Sequence, residues 1–218
     1  MAPSKIEWCD RTINPVVGCS HGCSYCYAEK INKRFKFVKD FKQPEFFPDR
    51  LREPYGVVKP QTFFVGSMSD PAFWEDHWWG SIFKMCEDNK RHLFMFLTKA
   101  PERAYSKWFR NYGVVPANIM FGATVTFENP IKDADSISFL ADGSRNTDIP
   151  VFLSVEPLLR VIPAMDRVWN QFEPIIVGAM TGTGAIKPTQ EMIDSIKNIP
   201  SDKLFLKDSI KKMTGSKI

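Results

Sequence analysis

No stretch of the chain approaches the roughly 20 consecutive apolar residues that a membrane span requires. The opening Met-Ala-Pro-Ser-Lys-Ile-Glu-Trp carries no apolar signal region. The expected setting is the cytoplasm, with no membrane partner. Low-complexity tracts, internal repeats and long blocks of one charge are also missing, so nothing argues for a disordered chain or a solenoid. Cysteine is scarce and odd in number, five in 218 residues. Three of the five, Cys19, Cys23 and Cys26, are crowded onto one short stretch, which suits a metal or cluster better than a disulfide framework.

The composition that is present, 44% hydrophobic and 25% charged, is that of a globular protein with room for a substantial core. A net charge of +4 is only mildly basic. Most of the local excess lies in Lys30, Lys33, Arg34, Lys36, Lys39 and Lys42, against Asp40 alone. That segment could meet phosphates, or it is a solvated helix face and loop.

Short apolar runs alternate with helix-like stretches. The strands expected from the runs are Ile13–Gly18, Thr62–Gly66, Leu93–Leu97, Asn118–Val125, Val151–Val155, Pro174–Gly178 and Leu204–Lys207. Helices are expected over Tyr25–Phe35, within Ala72–Asn89 behind an Asp70-Pro71 start signal, over Pro101–Arg110 and over Pro188–Lys197. A polar, partly helical stretch separates Val125 from Val151. The runs are apolar throughout rather than alternating, as in strands buried on both faces. An α/β fold with a parallel sheet or barrel follows. A complete eight-unit barrel usually needs about 250 residues, so the expectation is a partial, open (β/α)6 barrel. It would form one domain over 1–218, with an irregular, proline-rich insertion around 36–60.

Polar residues follow the apolar runs: Ser67, Ser69 and Asp70; Thr98 and Lys99; Thr124 and Thr126; Ser154 and Glu156; Thr181 and Thr183; Lys207 and Asp208. In a β/α barrel such carboxyl ends converge on the face where sites are built. The Trp74, Trp78 and Trp79 cluster has helical spacing and reads as packing. Cys86, remote and in a helical stretch, reads as a buried free thiol.

The cysteines stand in Gly18-Cys19-Ser-His-Gly-Cys23-Ser-Tyr25-Cys26-Tyr27, a Cys-x3-Cys-x2-Cys spacing. Thiolates are soft ligands for iron–sulfur clusters and zinc. An ordinary electron-transfer cubane takes four cysteines, so three on one loop would leave one iron open to a substrate or cofactor. Gly18 and Gly22 let the loop close around a large inorganic body. The competing reading is structural zinc, which needs four closed ligands, with Cys9 or His21 as the fourth.

This loop resembles the cluster loop of the radical S-adenosylmethionine (SAM) superfamily, with an aromatic residue just before the third cysteine. A closer resemblance is to the phage Gp37/Gp68-type (DUF5131) family. It rests on Ile6-Glu-Trp8, Asn14-Pro15, Cys26-Tyr27-Ala28-Glu29, Phe64-Val-Gly-Ser-Met-Ser-Asp70, Leu97-Thr-Lys99 and Leu153-Ser-Val-Glu-Pro-Leu-Leu159. Two departures stand out. The first cysteine spacing is shorter than in many members, and Gly178-Ala-Met-Thr-Gly182 replaces their Gly-Gly-Glu-Ser-Gly, losing the acidic residue.

The resemblance implies a [4Fe–4S] cluster on Cys19, Cys23 and Cys26, with SAM chelated at the open iron. It implies reductive cleavage of a SAM carbon–sulfur bond and a radical that acts on a small metabolite or a nucleic acid base. The electron would come from a donor such as flavodoxin or ferredoxin. SAM binding would fall to Tyr25 and Tyr27 beside the adenine, to Ser67, Met68, Ser69 and Asp70 near the amino group, to Lys99 at the carboxylate, and to Thr124 and Thr126 at the ribose. Glu156 would face SAM or substrate, and Lys207 an anionic substrate group; these two are the expected catalytic residues. The bland counterparts are loop packing for the tyrosines, a helix cap for Asp70 and a surface lysine for Lys99. From another class, the alternative is a non-catalytic zinc or iron–sulfur protein that binds nucleic acid.

Overall fold

A computed structural model describes residues 4–109, 114–182 and 184–214. Arg110, at the end of an expected helix, and Thr183, in one polar strand-end pair, lie outside the described residues. The chain folds as two compact units that divide between Met120 and Phe121.

In the first unit, strands β1 (Arg11–Ile13), β4 (Thr62–Val65) and β5 (Leu93–Thr98) run parallel in the order β1-β4-β5. Phe63, Val65, Phe94 and Phe96 are buried, as strands covered on both faces require. Helix α1 (Tyr27–Phe35) lies between β1 and β4, helix α2 (Asp76–Asp88) between β4 and β5, and α3 (Pro101–Lys107) follows β5. Trp79 and Phe83 of α2 pack on Phe96 of β5, with ring centroids 5.8 and 6.0 Å away. Trp74 joins them at 6.0 Å, so the tryptophan cluster is core, as expected. Cys86 is fully buried.

The expected Ile13–Gly18 strand is two pieces. β1 ends at Ile13, and β2 (Val16–Val17) turns to pair antiparallel with β3 (Glu45–Phe46). The break falls at Asn14-Pro15, where proline has no N–H for a ladder. The region around 36–60 is not wholly irregular: it supplies β3 and a tight helical turn, Pro48–Gly56. Asp70-Pro71 starts the three-residue turn Pro71–Phe73, and α2 begins later, at Asp76.

The second unit begins within β6 (Ile119–Val125). β6, β7 (Val151–Val155), β8 (Ile175–Val177) and β9 (Leu204–Leu206) follow one another in parallel register. The partly helical stretch is one long helix, α4 (Pro130–Thr147). Its serines, aspartates and Gly143 are weak helix formers, and tertiary burial of Ile137, Leu140 and Ala141 overrides them. Short helices α5 (Asp166–Trp169), α6 (Gln190–Asp194) and α7 (Asp208–Thr214) complete the unit. Gly122 on β6 is required by packing: a Cβ there would lie 2.5 Å from the Phe152 ring.

The expected α/β class with parallel strands holds in both units. Among the described residues, no helix is long and apolar enough to cross a membrane.

Candidate functional site

The cysteine loop leaves β2 through Gly18, whose φ is +117°. The Gly18 N–H donates to the Met68 carbonyl at 3.0 Å. A side chain at Gly18 would put its Cβ 2.8 Å from Pro44 Cα, so glycine is needed both for its φ and for the close approach. The Cys19 N–H then donates to the Phe41 carbonyl at 2.7 Å, and the Cys26 N–H to the Cys23 carbonyl at 3.0 Å. Gly22, at φ +69°, opens the loop between Cys19 and Cys23. Cys26 is the N-cap of α1, its Sγ accepting the Glu29 N–H at 3.4 Å. Sulfur is an unusual cap among the preferred oxygen side chains, and it fixes the third thiol at the helix start.

All three thiols are free and half-buried. Burial pushes Cys19 up to about 12, against a hydrogen bond from the His21 backbone, and the charges of Asp70, Cys26 and Cys23 raise it further. Burial also raises Cys23, partly offset by the Lys99 charge. An activated thiolate nucleophile shows the opposite shift. A cationic metal centre, by contrast, deprotonates thiols that lie against it. The three donors are soft, lie on one loop and are in no disulfide, which is the donor chemistry an iron–sulfur cluster takes.

Asp70 ties this loop to the strand ends. Its side chain is buried, with the residue 6% exposed, and it accepts four hydrogen bonds. Oδ2 takes His21 Nε2 at 2.9 Å and the Lys99 N–H at 3.0 Å; Oδ1 takes the Thr98 hydroxyl at 2.5 Å and the Ala72 N–H at 2.9 Å. Burial alone would raise its carboxyl. The hydrogen bond and charge of His21, the Thr98 hydroxyl and the Ala72 amide outweigh that and hold it below the ordinary carboxylate value. Asp70 therefore joins the cysteine loop, the turn after β4 and the end of β5 at a single carboxylate. The expected cap role is real, but it covers only one of the four bonds.

The other expected residues of the first unit gather around it. Lys99 Nζ donates to the Tyr25 hydroxyl at 3.2 Å, and the Tyr27 hydroxyl donates to the Ser67 carbonyl at 2.6 Å. Ser67 Oγ donates to Asn14 Oδ1, which also accepts the Met68 N–H at 2.8 Å. Ser69 Oγ accepts the Trp74 indole N–H at 3.0 Å. Met68 is buried in a small apolar cluster against which Cys19 and Cys26 pack. Cys19, Cys23, Cys26, Tyr25, Tyr27, Ser67, Met68, Ser69, Asp70 and Lys99 thus form one connected neighbourhood.

His21 and Asn14 are the connecting residues that motif spacing did not assign to these roles. That spacing offers His21 only as a zinc ligand. For Asn14 the available signal is an Asn-Pro pair ahead of a loop. The Cys9 thiol donates to Ser4 Oγ at 3.3 Å and to the Ile6 carbonyl at 3.7 Å. Among the described residues, no three His, Cys, Asp or Glu side chains are grouped to hold a metal ion. Thiolates on a cubane each meet a different corner, so they need not converge on a single point.

In the second unit, Glu156 follows β7 and Lys207 follows β9, and the two side chains form an ion pair. Gly178, at the end of β8, lies beneath them. Its N–H donates to the Val155 carbonyl at 3.1 Å, and the Lys207 N–H to the Val177 carbonyl at 3.0 Å. A Cβ at Gly178 would stand 2.9 Å from Lys207 Cδ and 3.1 Å from the Glu156 carboxyl carbon. Gly178 thus leaves the Glu156–Lys207 pair against a bare backbone. Thr124 pairs with Ser154 across β6 and β7. The Thr126 N–H donates to Asp133 at 3.2 Å, inside a turn where Phe127 takes φ +58°.

A parallel α/β fold, with a three-cysteine loop between its first strand and first helix, defines the class. The chain belongs to a family described as a protein of unknown function (DUF5131), whose sequence pattern matches residues 3–203. No curated protein matches it.

Proposed function

We propose that this protein is a radical SAM enzyme built on a partial (β/α)6 barrel. Cys19, Cys23 and Cys26 would hold a [4Fe–4S] cluster with one iron left for SAM. The observation that carries the proposal is the loop itself: three free thiols held by backbone bonds to Met68 and Phe41, with the third capping α1. When bound, the cluster supplies the electron that breaks a carbon–sulfur bond of SAM and so makes a radical that acts on the substrate.

The chain's own residues position and shield. Asp70 fixes the loop through His21 and holds the Lys99 backbone in place. Lys99 presents its ammonium group beside Tyr25, where a carboxylate of the cofactor can be met. Tyr27 pins the Ser67 carbonyl and leaves its ring half exposed for an adenine face. Asn14 holds the Ser67–Met68 backbone in the conformation that presents Ser67 and Ser69. In the second unit, Glu156 and Lys207 offer a carboxylate and an ammonium ion to a polar substrate, and Gly178 keeps the space over the strand open. Thr124 and Thr126 are the proposed ribose contacts. The substrate is a small metabolite or a nucleic acid base, and a flavodoxin- or ferredoxin-type protein supplies the electron.

Anaerobic reconstitution with iron and sulfide tests the proposal. The expected result is brown protein with about four irons per chain that releases a SAM fragment when reduced with dithionite. Colourless protein holding one tight zinc would replace this reading with that of a non-catalytic binder.

A further inference from the structure

Apolar side chains on a surface draw notice when they are large, grouped and ringed by charge. Phe35 ends α1 and is 57% exposed; Phe37 follows and is 45% exposed. Their rings stack on one another at 5.9 Å with planes 28° apart. Arg34 lies 5.0 Å over the Phe35 ring, and Arg50 lies 5.9 Å from Phe37 and 4.2 Å from Phe47. Lys36, between the two phenylalanines, takes the left-handed φ of 55° that ends the helix and turns the second ring back beside the first. Lys36, Lys39 and Lys42 are exposed around them.

This surface is fixed rather than loose. Asn32 is buried, and its side-chain amide donates to the Val38 carbonyl and accepts the Val38 N–H, at 3.1 and 3.0 Å. Val38 and Phe41 are buried in the apolar cluster that Cys19 and Cys26 pack against. Ser20 donates to the Lys42 carbonyl at 2.5 Å. Arg50 donates to the Asn14 carbonyl at 2.8 Å, and the Asn14 side chain holds the Ser67–Met68 turn. The platform is therefore braced on the cysteine loop from two directions.

We infer that the Phe35–Phe37 stack with its Arg34 and Arg50 flanks is a binding surface for single-stranded nucleic acid. Flat apolar rings accept unpaired bases, and the cations around them accept the phosphates between those bases. Charge complementarity selects a polyanion: Lys33 is paired with Glu29 at 2.9 Å, but Lys30, Arg34, Lys36, Lys39 and Lys42 still outnumber Asp40 between residues 30 and 42. The stacked rings and their guanidinium neighbours offer flat faces to a planar partner. The inference deepens the proposed function, because it names a nucleic acid as the substrate delivered to the cysteine loop. That role rests on the radical SAM reading, but the binding itself does not.

Fluorescence anisotropy with a labelled oligothymidine of about 15 nucleotides, a duplex of equal length and anionic phosphatidylserine vesicles separates the cases. The full chain is measured both before and after anaerobic reconstitution. Single-stranded binding should exceed duplex binding and weaken steeply as salt rises. Phe35→Ala with Phe37→Ala should weaken it by about fivefold or more per ring, the loss typical of one stacked base. Both rings are exposed, so folding is retained; Lys39→Glu, also exposed, should weaken binding through charge alone. Binding unchanged by loss of both rings, a preference for duplex, or vesicle binding without oligonucleotide binding would overturn the inference. Failure of the cluster assay with intact binding would instead count against the radical chemistry.

Discussion

Replacing Asp70 tests the tie that holds the cysteine loop to the strand ends. Asp70→Asn keeps Oδ1 for Thr98 and Ala72 but turns an amide NH2 toward the Lys99 N–H, donor against donor. One buried donor left unsatisfied costs about 1–3 kcal/mol. Asp70→Ala leaves Thr98, Ala72, Lys99 and His21 all without their acceptor, and loss of a buried charged partner costs about 3–5 kcal/mol. The assay is urea unfolding of the metal-free chain followed by tryptophan fluorescence, since Trp74, Trp78 and Trp79 lie in the same unit. With a slope of about 2 kcal/mol per molar urea, Asp70→Asn should lower the midpoint by roughly 0.5–1.5 M. The pH dependence has a definite sign. The folded chain binds this proton less readily than the unfolded chain, so Asp70 stabilises fully above the ordinary carboxylate pKa of about 3.9 and loses that contribution as pH falls below it. The gap between wild type and Asp70→Asn should narrow as pH falls below about 4. A midpoint for Asp70→Asn equal to wild type, or a gap that widens in acid, would refute the assignment of Asp70 as the hub.

Further outcomes can be checked independently. Cys19→Ala, Cys23→Ala and Cys26→Ala should each abolish iron and sulfide uptake in anaerobic reconstitution, while Cys9→Ala and Cys86→Ala keep it, as read by metal analysis. Gly122→Ala should destabilise the second unit by about 1–3 kcal/mol through overpacking on Phe152, seen as a lower melting temperature. Gly178→Val should push Glu156 and Lys207 apart; stability should fall by about 1–3 kcal/mol through overpacking while any SAM-dependent turnover is lost. Asn32→Ala should cost about 1–3 kcal/mol by unsatisfying the buried Val38 amide and carbonyl, and hydrogen exchange should show residues 36–42 losing protection.

Much of this protein is legible in its order of residues. Continuous apolar runs such as Leu-Phe-Met-Phe-Leu at 93–97 predict strands covered on both faces, and each of the later runs is a parallel strand, within a residue or so of its expected bounds. Period and burial are local properties, so they survive without a partner in view. The crowding of Cys19, Cys23 and Cys26, and the capped helix behind them, are equally local. The continuous strand expected over Ile13–Gly18 misses the break at Asn14-Pro15, because it weighs the apolar run above the missing N–H of Pro15.

What tertiary structure alone decided is which distant groups complete one another. Asp70 reads in sequence as a cap, yet three of its four donors come from elsewhere in the chain: His21, Thr98 and Lys99. Gly178 has no local reason to be glycine; the reason is the Glu156–Lys207 pair above it, brought there by the neighbouring parallel strands. α4 forms despite weak propensity because β7 and its neighbours bury its apolar side. A residue's own chemistry sets what it can bond to, and only the fold sets what lies within reach.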